Sequence, residues 1–79
     1  MWYLDAYEKK SELLTKSYPL RGVTTTIIKE LIEVDEGYGP VEAAMHEVAP
    51  TDLAKFAKYI DGELSIDFSC SYFVGLFAD

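Results

Sequence analysis

The segment Tyr72 to Ala78, YFVGLFA, is too apolar for the edge of a sheet and predicts an inner strand. Near the N-terminus, Trp2, Leu4 and Ala6 alternate with Tyr3, Asp5 and Tyr7, a period of two rich in aromatics that reads as another strand. Glu8 to Glu12 is polar and reads as a turn. Leu13 to Leu20 then resumes an extended pattern, and Pro19 pushes the residue before it out of the helical region. These two strands are expected to pair as an antiparallel hairpin.

Between the ends of the chain the period changes. Thr24, Thr25 or Thr26 can supply an N-cap, and Ile27, Ile28, Leu31, Ile32 and Val34 follow at helical spacing. The pattern predicts a helix of about three turns, with Gly37 as its stop. Residues 40 to 48, PVEAAMHEV, fit either a short helix starting at Pro40 or a strand around Met45 to Val48, and an extended end is favoured. Ala49-Pro50-Thr51-Asp52 opens a second helix, with Leu53, Phe56, Ala57 and Ile60 as its apolar stripe and Asp61-Gly62 as its end. Leu64, Ile66 and Phe68 alternate with Glu63, Ser65 and Asp67, which predicts a strand with one wet face that bends or breaks at Ser69-Cys70-Ser71. The order is roughly ββα(β)αββ. It implies an α+β fold, a small single-layer antiparallel sheet with two helices packed on one face.

At 79 residues the chain is expected to be one domain, 1–79. Hydrophobic residues make up 49% and aromatics 14%, which excludes a disordered composition. A domain this small buries only about 60% of the surface of its unfolded chain, leaving few residues to enclose an active site. That weighs against an enzyme. The N-terminal MWYLDAYEKK carries no targeting pattern and no apolar run is long enough to span a bilayer, so a cytoplasmic protein is expected. The single cysteine, Cys70, suits a reducing compartment and reads as a small buried hydrophobe.

The net charge is −7, from 14 acids and 7 bases. This sign opposes binding to nucleic acid or to an anionic membrane and favours a basic macromolecule as partner. The charge is concentrated. Glu30, Glu33, Asp35, Glu36, Glu42, Glu47 and Asp52 follow one another with no Lys or Arg between them. Residues 1 to 29 are net +2 and residues 53 to 79 net −2, so the middle segment matches the whole imbalance. A solvated acidic surface that aids solubility accounts for the sign. It accounts less well for the concentration.

Catalytic or metal chemistry finds little support. Glu30 and Glu33 lie one helical turn apart, but acid–base work needs a cleft that moves one pKa, and a surface helix offers none. His46 is the only histidine, and no spacing around it matches a metal motif. Asp61 to Asp67 alternates oxygen side chains like a calcium loop, yet Ile66 stands where the loop needs glycine. No phosphate-binding glycine loop, nucleophile elbow or Cys-His pair is present. Neither cofactor nor metal is expected. Tyr38, framed by Gly37 and Gly39, is either an exposed protein-binding anchor or a ring folded back on the core.

Three stretches, YEKKSELL at 7 to 14, VAPTDLAKFAKYID at 48 to 61 and YFVGLFA at 72 to 78, resemble parts of a family of short bacterial proteins, many of them candidate immunity proteins encoded beside secreted toxins. They are similar to the family's hairpin turn, its Val-Thr-Pro helix start with a closing Tyr-hydrophobic-Asp, and its aromatic last strand. The chain departs from that pattern with Ala49 in place of a threonine cap and with the alanine-rich VEAAM. The resemblance implies an acidic, aromatic-containing loop after the first helix, a place occupied here by VDEGYGP at 34 to 40.

Resemblance and charge together lead to the expectation of an immunity protein that binds a basic toxin domain, such as a nuclease of contact-dependent growth inhibition. Glu33, Asp35, Glu36, Glu42 and Glu47 would provide the charge and Tyr38 a packed contact. The alternative is a non-catalytic adaptor or regulatory module, homodimeric through an open sheet edge.

Overall fold

The structure is a computed structural model that describes residues 1–34 and 39–78. Two strands near the N-terminus, β1 (Trp2–Glu8) and β2 (Leu14–Pro19), form the expected antiparallel hairpin. The turn between them is closed by the Glu12 N–H, which donates to the Glu8 carbonyl at 2.7 Å. Tyr3 faces Pro19, Leu4 faces Tyr18 and Asp5 faces Ser17; a bulge then shifts the register between Ala6 and Tyr7. The last strand, β4 (Cys70–Leu76), runs antiparallel to β1, and β3 (His46–Val48) runs antiparallel to β4. The sheet order is β2-β1-β4-β3, so the apolar segment YFVGLFA does contribute an inner strand.

Helix α1 (Thr25–Leu31) begins at Thr24, whose Oγ1 accepts a hydrogen bond from the Ile27 N–H at 3.3 Å. It spans two turns rather than three. Its C-terminal cap, Ile32, is already extended at φ −139° and ψ 161°. The helix therefore stops well before Gly37, which lies outside the described residues. Leaving the helix there lets Ile32 itself enter the core together with Leu31.

The second helix, Pro50–Tyr59, is a 3-10 helix throughout. Its apolar stripe accordingly repeats every three residues, Leu53, Phe56 and Tyr59, where the sequence suggested Leu53, Phe56, Ala57 and Ile60. Leu53 and Phe56 are buried and Tyr59 half-buried, whereas Ala57 is exposed. The same period stacks Asp52 under Lys55, whose ammonium donates to the Asp52 carboxylate at 2.7 Å. Ile60 leaves the helix to bridge to Leu20.

The strand expected over Leu64 to Phe68 does not form. That segment is held by side chains instead. The Tyr18 and Tyr72 hydroxyls both donate to the Ser65 carbonyl at 3.3 Å, and Tyr72 also accepts from the Asp67 N–H at 2.8 Å. Asp67 then caps the turn into β4, accepting from the Ser69 N–H at 2.9 Å and its hydroxyl at 2.6 Å.

All helical elements cover one face of the sheet. Trp2, Leu4, Ala6, Tyr18, Val48, Tyr72 and Val74 point into a core closed by Ile28, Leu31, Ile32, Val41, Leu53, Phe56 and Ile60. Phe56, Leu4, Ile28, Leu53 and Val74 are the largest fully buried side chains, and each such burial contributes about 1.5–3 kcal/mol. Cys70 is a free thiol in the same core, with Sγ 3.6 Å from the Thr15 hydroxyl.

Candidate functional site

Two surfaces emerge from this arrangement. The first is acidic. Glu30 near the end of α1, Glu33 just beyond its extended cap, Glu47 on β3 and Asp52 at the start of the 3-10 helix surround one concavity of about 480 Å³. These are four of the seven acids of the base-free segment. Lys29 and Lys55, which flank that segment, line the same concavity, and Lys55 pairs with Asp52. The walls are mainly polar, so the site can attract a charged group but offers little apolar anchorage.

Of the residues singled out in the sequence, Glu33 and Glu47 are thus brought together, from positions fourteen residues apart. Glu42 is exposed on a short 3-10 turn, Val41–Ala43, and does not line the concavity. Asp35, Glu36 and Tyr38 lie outside the described residues. His46 has a structural contact: its Nε2 is 2.8 Å from the Val41 carbonyl and ties the short turn to β3. Among the described residues, no group of three or more His, Cys, Asp or Glu is arranged to hold a metal ion, and no helix is long and apolar enough to cross a membrane.

The second surface went unnoticed in the sequence. It is the face of the sheet opposite the core. Tyr3, Asp5 and Tyr7 of β1 share it with Leu14 and Ser17 of β2, Ser71, Phe73 and Gly75 of β4, and Glu47 of β3. Tyr7 meets Phe73 edge-on with ring centroids 5.8 Å apart, and Tyr3 meets Phe77 at 6.0 Å. Gly75 leaves room for Met45 and Phe77 above the strand: a Cβ placed there would stand 3.1 Å from Met45 Cγ and 3.2 Å from the Phe77 ring. Asp5 is 5% exposed amid these side chains, and its carboxylate accepts a 2.5 Å hydrogen bond from the Ser17 hydroxyl. The signal was present in the alternation itself, because β1 and β4 carry large apolar residues on both of their faces.

These features define a small α+β domain whose four-stranded antiparallel sheet is packed by helices on one side. The chain belongs to the family described as Domain of unknown function (DUF7683), which it matches over residues 1–75. No curated protein and no solved structure matches it.

Proposed function

We propose that the protein is an immunity protein that acts in the bacterial cytoplasm, binding and neutralising a cognate basic toxin domain such as a nuclease of contact-dependent growth inhibition. The observation that carries the reading is the gathering of Glu30, Glu33, Glu47 and Asp52, from separate parts of the chain, around one concavity. A nuclease must present basic groups to hold phosphates, and an acidic surface competes for them. Charge complementarity also speeds encounter, so the inhibitor arrives quickly and need not cover the active site itself. Glu33 and Glu47 provide charge at the concavity, Glu42 adds charge from its 3-10 turn, and Asp35, Glu36 and Tyr38, which follow α1 in the sequence, extend the contact. The likeness of YEKKSELL, VAPTDLAKFAKYID and YFVGLFA to immunity-type proteins supports the same reading.

The role is binding and involves neither a cofactor nor a metal. Its test is co-expression with the product of the neighbouring toxin gene in a sensitive host. Protection is expected, and equal killing with and without this protein overturns the proposal. A second reading, a homodimeric adaptor, is favoured by the outer edge of β2, which pairs with no strand among the described residues. Light scattering separates the two: a stable homodimer that ignores the toxin supports the adaptor.

A further inference from the structure

The register of the sheet sets an unusual row across its open face. Ser17, Asp5, Phe73 and Glu47 lie side by side on β2, β1, β4 and β3. Phe73 therefore stands between two acids, each on a strand about 4.8 Å away. Tyr7 and Phe73 form a T-shaped pair, with ring planes 78° apart. Beside them Tyr7, Met45, Ser71 and Phe73 line a largely apolar cavity of about 430 Å³ that the hairpin residues Glu8, Lys9 and Glu12 border, two acids against one base. The residues of the four strands that point to this face include two acids, Asp5 and Glu47, and no base.

We infer that this open face docks a cationic segment of a protein partner, seating a Lys or Arg side chain over Phe73 between Asp5 and Glu47. An aromatic face attracts a cation through its quadrupole, and two flanking carboxylates add charge of the right sign. Tyr7, Met45 and the Tyr3–Phe77 pair take the apolar side chains that accompany the cation. The aromatics supply the desolvated contact area that the acidic concavity lacks. The two surfaces are continuous, because Glu47 belongs to both. A second copy of this chain is a poor occupant: the face would set acids against acids, on chains of net charge −7. The inference deepens the proposed function and rests on its basic partner, for which it names the anchoring face.

The probe is a 14-residue amphipathic peptide of leucine and lysine, about 21 Å long as a helix and so comparable to a seven-residue strand of about 23 Å. Its affinity is measured for the wild-type chain, for Phe73→Ser, for Asp5→Asn and for the double variant Glu30→Gln with Glu33→Gln. Asp5→Asn keeps the shape and the Ser17 contact, so it reports on charge even if Phe73→Ser perturbs the fold. Phe73→Ser is expected to weaken binding about tenfold and Asp5→Asn about threefold or more, while the double variant changes it less than about twofold. Unchanged affinity in Asp5→Asn, or a larger loss in the double variant, overturns the inference. So does a homodimer in light scattering that Phe73→Ser dissolves. In the toxin assay, full protection by both Phe73→Ser and Asp5→Asn removes this face and leaves the proposed function standing. Failure of the wild-type chain to protect removes that function instead.

Discussion

The Tyr72 hydroxyl, at the covered face of β4, accepts a hydrogen bond from the Asp67 backbone N–H at 2.8 Å while donating to the Ser65 carbonyl at 3.3 Å. One side chain thereby satisfies two backbone groups of a segment that has no strand partner. Tyr18 adds a second phenol to the same carbonyl. The pairing a strand would have provided is replaced by two tyrosines from the sheet.

Tyr72→Phe is expected to cost about 1–2 kcal/mol, since it leaves the Asp67 N–H and part of the Ser65 carbonyl's capacity unmet. The pH dependence adds a signature. Burial pushes the Tyr72 phenol above its ordinary 10.0. The unfolded chain then ionises first, so this stabilisation is complete below about pH 10 and is lost as pH rises through the folded value. Urea midpoints should fall in alkaline solution for the wild type and fall less for Tyr72→Phe. Parallel curves would show that another group governs the alkaline loss.

Asp67 gives the opposite sign. The Ser69 hydroxyl, and then the Ser69 N–H, hold its carboxyl below the ordinary 3.8, and the group is fully exposed. Its small contribution is present above about pH 4 and disappears as pH falls through the folded value. Ser69→Ala should return the Asp67 carboxyl toward its ordinary range in an NMR titration. No movement would mean that the backbone N–H alone sets it.

Phe56→Ala is expected to be the most damaging single truncation in the 3-10 helix. The ring is fully buried beneath the sheet, and such a cavity costs about 3–5 kcal/mol. A chain of this length has a total stability of only about 4–12 kcal/mol, so the variant should be partly unfolded at 37 °C. Calorimetry showing a native transition within a few degrees of wild type would contradict the packing described.

Thr24→Ala removes the hydroxyl that accepts from the Ile27 N–H and should destabilise the domain by about 1 kcal/mol. Thr24→Asp should restore the loss, because it keeps an acceptor and places a negative charge at the helix start. Denaturation midpoints for the two variants decide the point.

For the proposed toxin contact, Glu33→Lys with Glu47→Lys should slow association about tenfold at low ionic strength and much less near 0.5 M salt, where charges beyond a few ångströms are screened. Stopped-flow rates that are equal at low salt would take the acidic concavity out of the encounter.

Much of the fold was legible because local chemistry and tertiary packing agree. Alternation in WYLDAY, the apolar density of YFVGLFA and the threonines before Ile27 specify β1, β4 and the start of α1 from neighbouring residues alone. Of the candidate site, the sequence pointed to the acidic segment and to Glu33 and Glu47 within it, since charge is additive along a chain. It could not rank Glu42 outside the concavity, because that depends on which elements meet.

The residues alone determine the α+β layering, the apolar face that each helix buries and the sign and concentration of the charge. The tertiary structure decided the rest, where two local solutions compete. Leu64 to Phe68 alternates like a strand, but β1 and β3 already flank β4, and the Tyr18 and Tyr72 phenols capture Ser65 and Asp67. The apolar residues 53, 56, 57 and 60 suit a period of 3.6, yet Ile60 is drawn to Leu20 and the preceding turns tighten to a period of three. Register, finally, is a property of pairing between distant segments. Only that pairing places Phe73 between Asp5, sixty-eight residues away, and Glu47, and so turns scattered aromatics and acids into one surface.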